Sequence, residues 1–316
     1  MFTHLNRSVF LTGVLSPPII VNSLYPIETT QYTVQMNMDI NNEPTFMQGG
    51  PGKAVGDLSK KVIDGSMTFF PSINENNVLP DAVIELINSS QDYKSSFTLT
   101  TLLNPYNADI TASSPPYIYT TNSLVFDVCV TETFTITAKR DGAVTININV
   151  KGQTDVANLA PVSVPNDDTG IYRNLSWQDC AFQRQGSQME NVHEVEITIK
   201  KEIDQRYFLM SYCDYDPLNP VAYDRPYSTG VKSVNVSFKF KEEITNVFDL
   251  FSYSLGGFLD GMNFSGNFGP INFEIPNALL KVSTEPNPAD IIERTTEGFY
   301  RMAPNTPDQP NFIFTL

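Results

Sequence analysis

Apolar residues recur at every second position through much of this chain, the period of a strand with one buried face. Val34, Met36 and Met38 alternate with polar neighbours, as do Val195, Ile197 and Ile199, and again Val234, Val236, Phe238 and Phe240. Phe134, Ile136 and Ala138 face one way, Arg140-Asp141-Gly142 turns the chain, and Val144, Ile146, Ile148 and Val150 return. That pattern predicts a β-hairpin. Its outward positions carry Thr and Asn, which suit an antiparallel sheet with one wet face.

Helical spacing is confined to two short stretches. In 80–88, Asp81 stands where a carboxylate can accept orphan N–H groups, and Val83, Ile84 and Ile87 fall on one face. In 245–253, Thr245 is the capping hydroxyl and Val247, Phe248 and Phe251 form the stripe. Each helix is predicted to plug one side or end of a sheet.

The elements recur in the same order. A strand at 32–40, a long loop at 41–64, a strand at 65–70 and a helix at 82–87 are followed by a strand at 193–199, a loop at 204–229, a strand at 232–238 and a helix at 246–251. Further on, 122–126 matches 277–281, and the Pro-containing stretch 152–169 is the boundary. The predicted fold is mainly β: two tandem antiparallel β-sandwich or partial-barrel modules, 1–160 and 161–316, each with one short α-helix. The second module is expected to end in a Pro-rich stretch, 286–310, where the first has its hairpin. Loops as long as 41–64 and 204–229 are uncommon without a function, and both fall at the same point of the module. A repeated module with no catalytic residue in either copy points to architecture.

Composition narrows this further. The 316 residues can bury two cores, and 41% hydrophobic with 11% aromatic content argues against disorder. The net charge of −15 repels phosphate backbones, which argues against tight nucleic-acid wrapping yet suits a passage through which nucleic acid slides. Three cysteines, Cys129, Cys180 and Cys213, give neither a disulfide framework nor a zinc pattern, and Cys129 reads as a small buried hydrophobe. A reducing compartment fits. The N-terminus lacks the pattern of a secretory signal, and no apolar run is long enough to cross a bilayer.

Candidate chemistry does not assemble into an active site. His193-Glu194 lacks the second histidine of a metalloprotease helix and reads as a solvent-facing strand histidine. Gly49 to Lys53 resembles a phosphate loop, but Ala54 follows the lysine and the segment reads as a loop tip. Asp214, Asp216 and Asp224 lack a calcium-loop pattern and read as a solvated acidic loop. Trp177 is expected to close the second core as an aromatic anchor. No metal, no cofactor and no enzymatic activity are expected.

This order of strand, long loop, strand, short helix and further strands resembles the tail-tube fold of long-tailed bacteriophages. That fold is shared by tail-tube, baseplate-hub and secretion-system tube proteins. In the family, a β-sandwich or partial barrel with one helix forms rings, the subunits' strands build a continuous inner barrel, and the long loop touches the adjacent ring. The resemblance implies that Gln48, Gly50, Lys53, Asp57, Tyr212, Asp214, Asp216 and Tyr223 belong to stacking loops. Strands near 32–40, 65–70, 193–199 and 232–240 would line an acidic, Asn- and Thr-rich lumen. It further implies trimeric, pseudo-hexameric or hexameric rings, other tail proteins as partners, non-specific passage of phage DNA, and a virion location after assembly in the host cytoplasm. A tail-terminator, distal-tail or baseplate-hub ring protein is the neighbouring reading. A two-domain carbohydrate-binding or adhesion protein is the competing one, served by Trp177 and the Tyr-rich loop 207–227.

Overall fold

The computed structural model of the chain describes residues 19–22, 27, 29–41, 57–92, 95–102, 118–119, 123–152, 162–163, 172–207, 226–244, 259–286, 292–302 and 313–316. In chain order the first half supplies β1 (Ile19–Val21), β2 (Gln31–Tyr32), β3 (Gln35–Asn41), β4 (Asp57–Phe69), β5 (Ser72–Ile73), α1 (Asp81–Gln91), β6 (Phe97–Leu102), β7 (Ile118–Tyr119), β8 (Ser123–Lys139) and β9 (Thr145–Gly152). The second supplies β10 (Val162–Ser163), β11 (Arg173–Asn174), a 3₁₀ turn (Trp177–Asp179), β12 (Cys180–Arg184), β13 (Ser187–Gln188), β14 (Val192–Tyr207), β15 (Pro226–Ile244), β16 (Leu259–Phe268), β17 (Ile271–Pro286), β18 (Ile292–Met302) and β19 (Phe314–Thr315). The fold is mainly β, and its sheets are antiparallel.

Fifteen strands join in one sheet. In the first half the neighbours run β3–β4–β9–β8–β6–β1, and in the second β14–β15–β18–β17–β16–β12. These are the same order at the same chain positions. The halves meet where β8 pairs with β14, from Glu194↔Lys139 to Lys200↔Thr133. β8 is long enough to serve two partners on one flank: its beginning pairs with β6 and its end with β14, while β9 covers the other flank.

Several sequence expectations are corrected. β3 runs to Asn41 and β4 starts at Asp57, so part of the expected loop 41–64 is a ladder, Asn41↔Asp57 to Gln35↔Asp64. Likewise β14 reaches Tyr207 and β15 begins at Pro226, which shortens the loop expected at 204–229. Non-local pairing holds these residues extended despite their polar, Lys- and Gly-containing sequence. The Pro-rich end of the second half contains a hairpin after all, because β17 pairs with β18 from Leu279↔Phe299 to Pro286↔Ile292. The match of 122–126 to 277–281 is displaced: Cys129 and Leu280 are the residues that each pair with both flanking strands.

One hydrophobic cluster spans both halves. Its first-half part is largely aliphatic, with Ile136, Ile146, Ile148 and Met67 fully buried. Its second-half part is aromatic, where Phe240 stacks on Phe264 at 5.0 Å and Phe182 meets Phe268 edge-on at 5.4 Å. Each such side chain contributes roughly 1.5–3 kcal/mol on burial. Trp177 closes this cluster as expected, tilted against Phe182 at 5.7 Å. Its turn is fixed by a capping box between Ser176 and Asp179. Arg173 grips the Asp179 carboxylate through two 2.7 Å bonds and holds its carboxyl well below the usual carboxylate range.

α1 packs on β8, β1 and β19. Ala82, Val83, Leu86 and Ile87 are buried, whereas Ile84 is half-buried, so the apolar stripe is rotated from the expected one. Asp81 lies in the first turn but makes no capping bond, and Pro80 precedes the helix. The helix C-terminus is closed from the other half. Lys201 on β14 is buried and donates to the carbonyls of Ser89 and Asp92. The Gln91 amide exchanges two bonds with the backbone of Phe314, 223 residues away, at 3.0 and 2.6 Å.

Candidate assembly surface

Opposite the core, the half-exposed positions of seven neighbouring strands form one polar face. One row crosses five of them: Thr68↔Asn147↔Thr135↔Thr198↔Ser237. The alternation that buries Ile136, Ile197 and Phe238 puts these hydroxyls and amides on the other side. They bond along the row, Asn147 Nδ2 donating to Thr68 Oγ1 at 2.8 Å, and the Thr135 and Thr198 hydroxyls meeting at 3.0 Å across the seam between the halves.

The next row alternates in charge: Thr137↔Glu196↔Lys239↔Glu297↔Lys281. Beside it Glu194 lies between Lys139, at 3.2 Å, and Lys241. Burial opposes ionisation of Glu194, but the two ammoniums outweigh it and hold its carboxyl below the usual range. Such half-exposed pairs are each worth about 0–1 kcal/mol. Their larger effect is on the field. The expectation of an acidic wall is therefore corrected: among the described residues the acidic and basic side chains of this face interleave, and a polyanion meets no concentrated patch of either sign.

The two expected loops share a direction. Four successive antiparallel steps, β14 to β8, β9, β4 and β3, leave β3 and β14 pointing the same way. The arms β3–β4 and β14–β15 thus leave the same end of the sheet. Of the residues predicted for stacking, Gln48, Gly50, Lys53, Tyr212, Asp214, Asp216 and Tyr223 lie outside the described residues, as do Val247, Phe248 and Phe251. Asp57 belongs to the ladder of the first arm, paired with Asn41, and not to its tip. His193 is half-buried in β14, where its backbone carbonyl accepts from Arg140, so it does not face solvent as expected. Cys129 is buried as read from the sequence.

Among the described residues no three His, Cys, Asp or Glu side chains gather into a set that could hold a metal ion. No helix among them is long and apolar enough to cross a membrane. The sequence signal for the polar face was present in the Thr and Asn alternation. The signal for its interleaved charge was not, because register decides which charges become neighbours. Compared with known proteins, the chain matches no family model, and no curated protein sequence matches it.

Proposed function

We propose that this chain is a structural virion protein that forms the stacked rings of a phage tail tube, with two tandem copies of one module supplying adjacent segments of each ring. The observation that carries this reading is the repeated strand order, joined through β8 and β14 into one sheet whose two arms leave the same end. A sheet that continues from module to module can close on itself, and closure removes the edges that make open sheets aggregate. Three chains would then give a pseudo-hexameric ring. The polar face lines the lumen, where interleaved charges and hydroxyls let DNA pass without the counterion release that makes basic surfaces grip it. The arms reach the adjacent ring, and head-to-tail stacking along one axis makes a filament.

Electron microscopy of the purified protein tests this. Long hollow tubes are expected of the main tube subunit. Single rings that do not stack would identify a terminator, distal-tail or hub protein instead. Monomers at all concentrations that bind glycans would overturn the ring reading in favour of an adhesion protein.

A further inference from the structure

The seam between the two halves uses one flank of β8 and one flank of β14, and the chain carries a second set of the same two flanks without partners. On β17, the strand equivalent to β8, pairing with β16 ends at Leu280, and beyond it, among the described residues, no strand covers that flank; β18 covers the other. On β3, the strand equivalent to β14, β4 covers one flank, and among the described residues no strand covers the other. We infer that a second copy of this chain docks its β3 on the free flank of β17, in the register the chain already uses between its own halves.

The register follows from the ladders. Ile63 and Phe238 hold equivalent places, since each pairs across to a glycine, Gly152 and Gly298. Met36 pairs with Ile63 as Ile197 pairs with Phe238, so Met36 is the equivalent of Ile197. Ile136 pairs with Ile146 as Pro286 pairs with Ile292, and Ile146 and Ile292 face the equivalent residues Phe69 and Ile244. Within the chain Ile197 pairs with Ile136 and Thr198 with Thr135. Transposed, Met36 pairs with Pro286 of the next copy, Asn37 with Glu285, Met38 with Thr284 and Asp39 with Ser283. Pro286, which has no N–H to donate, stands at the end of this ladder, where a proline is tolerated.

Occupancy by a second copy is favoured because the two flanks are complementary and lie at opposite ends of the repeat. One chain cannot satisfy them itself without closing a ring alone. The contact is heterologous, so each copy added leaves one flank of each kind until the ring closes. What the contact builds rests on the proposed ring; the pairing itself does not.

The test is disulfide trapping in the full chain. The double variant Asn37→Cys/Glu285→Cys is oxidised and run on a non-reducing gel beside the parent chain, each single variant and Asn37→Cys/Thr284→Cys. A one-residue slip turns a side chain to the other face, so the first pair is expected to give about tenfold more intermolecular product than the second. Equal trapping, trapping of the second pair alone, or trapping no greater than in the parent overturns the inference. Rings in the microscope without in-register trapping would remove this pairing and leave the ring reading standing. In-register trapping in a protein that forms neither rings nor tubes would do the reverse.

Discussion

Gly298 lies directly under the ring of Phe238: a Cβ added to it would stand 1.9 Å from Phe238 Cζ. The first half repeats the arrangement more loosely, since a Cβ on Gly152 would stand 3.0 Å from that of Ile63. In each half the glycine gives its space to the buried residue across the ladder. Gly298→Ala is therefore expected to drive Phe238 from its place and to cost about 1–3 kcal/mol by overpacking. Gly152→Ala should cost less. Urea unfolding of both variants checks the order, and adding Phe238→Val to Gly298→Ala should recover part of the loss.

These glycines also explain what the sequence could not say. The inward positions of β18 are Arg294, Thr296, Gly298 and Tyr300, a series without apolar alternation, so its strand is hidden by composition. Arg294 is inward because Glu242 meets it, and Gly298 because Phe238 needs room; both reasons lie on another strand. By contrast, Val195, Ile197 and Ile199 are buried aliphatics at every second position, and that strand was legible without its partners. The helix stripe was half legible. Val83 and Ile87 were right, but the weight of Leu86 over Ile84 depends on the strand beneath. Of the candidate surface, the Thr and Asn face was readable, while the β8–β14 seam that makes it continuous was not.

Lys201 gives the fold a pH signature. Burial pushes its ammonium down to about 8, against the pull of the Asp92 carboxylate. Above that value and below the ordinary lysine range near 10.4, the unfolded chain holds a proton that the folded chain has released, so stability rises with pH across this window. The contribution is absent below about pH 8, where both states are charged. Lys201→Met should remove it. The difference in urea midpoint between parent and variant is expected to widen in the parent's favour from pH 8 to 10, and a flat difference would contradict it.

Phe314 ties the far end of the chain to the first half. Its ring meets Phe134 edge-on at 5.6 Å, and its backbone is held by Gln91. Phe314→Ala is expected to cost about 3–5 kcal/mol, as for a core phenylalanine. A segment that merely rested on the surface would lose under about 0.5 kcal/mol on the same substitution. Denaturant unfolding separates the two.

The arms separate folding from assembly. Replacing 42–56 by a tight turn between Asn41 and Asp57 should leave the unfolding midpoint nearly unchanged, because these connections lie beyond the core strands. Under the tube reading the same deletion should abolish tubes seen in the microscope while leaving rings. Normal tubes from this variant would remove the stacking role of the first arm.

Glu242 and Arg294 pair at 2.5 Å inside the second half, both largely buried, at the place that Met67 and Ile148 hold in the first. Arg184 adds a second contact to Glu242 at 3.2 Å from a more exposed position. Removing one partner leaves a buried charge, so Glu242→Gln is expected to destabilise by about 3–5 kcal/mol. Replacing both by apolar residues removes the desolvation cost as well as the attraction. The exchange Glu242→Met with Arg294→Ile writes the first half's pair into the second, and it should be neutral or stabilising by about 1–4 kcal/mol. Arg184, no longer paired, can turn its guanidinium to water. The two halves use the same ladder, so a double variant as unstable as Glu242→Gln would mean that the places are not equivalent in packing, whatever their strand order. Unfolding curves of the single and double variants decide it, and the coupling between the two substitutions measures how far the ion pair rather than the fold requires these residues.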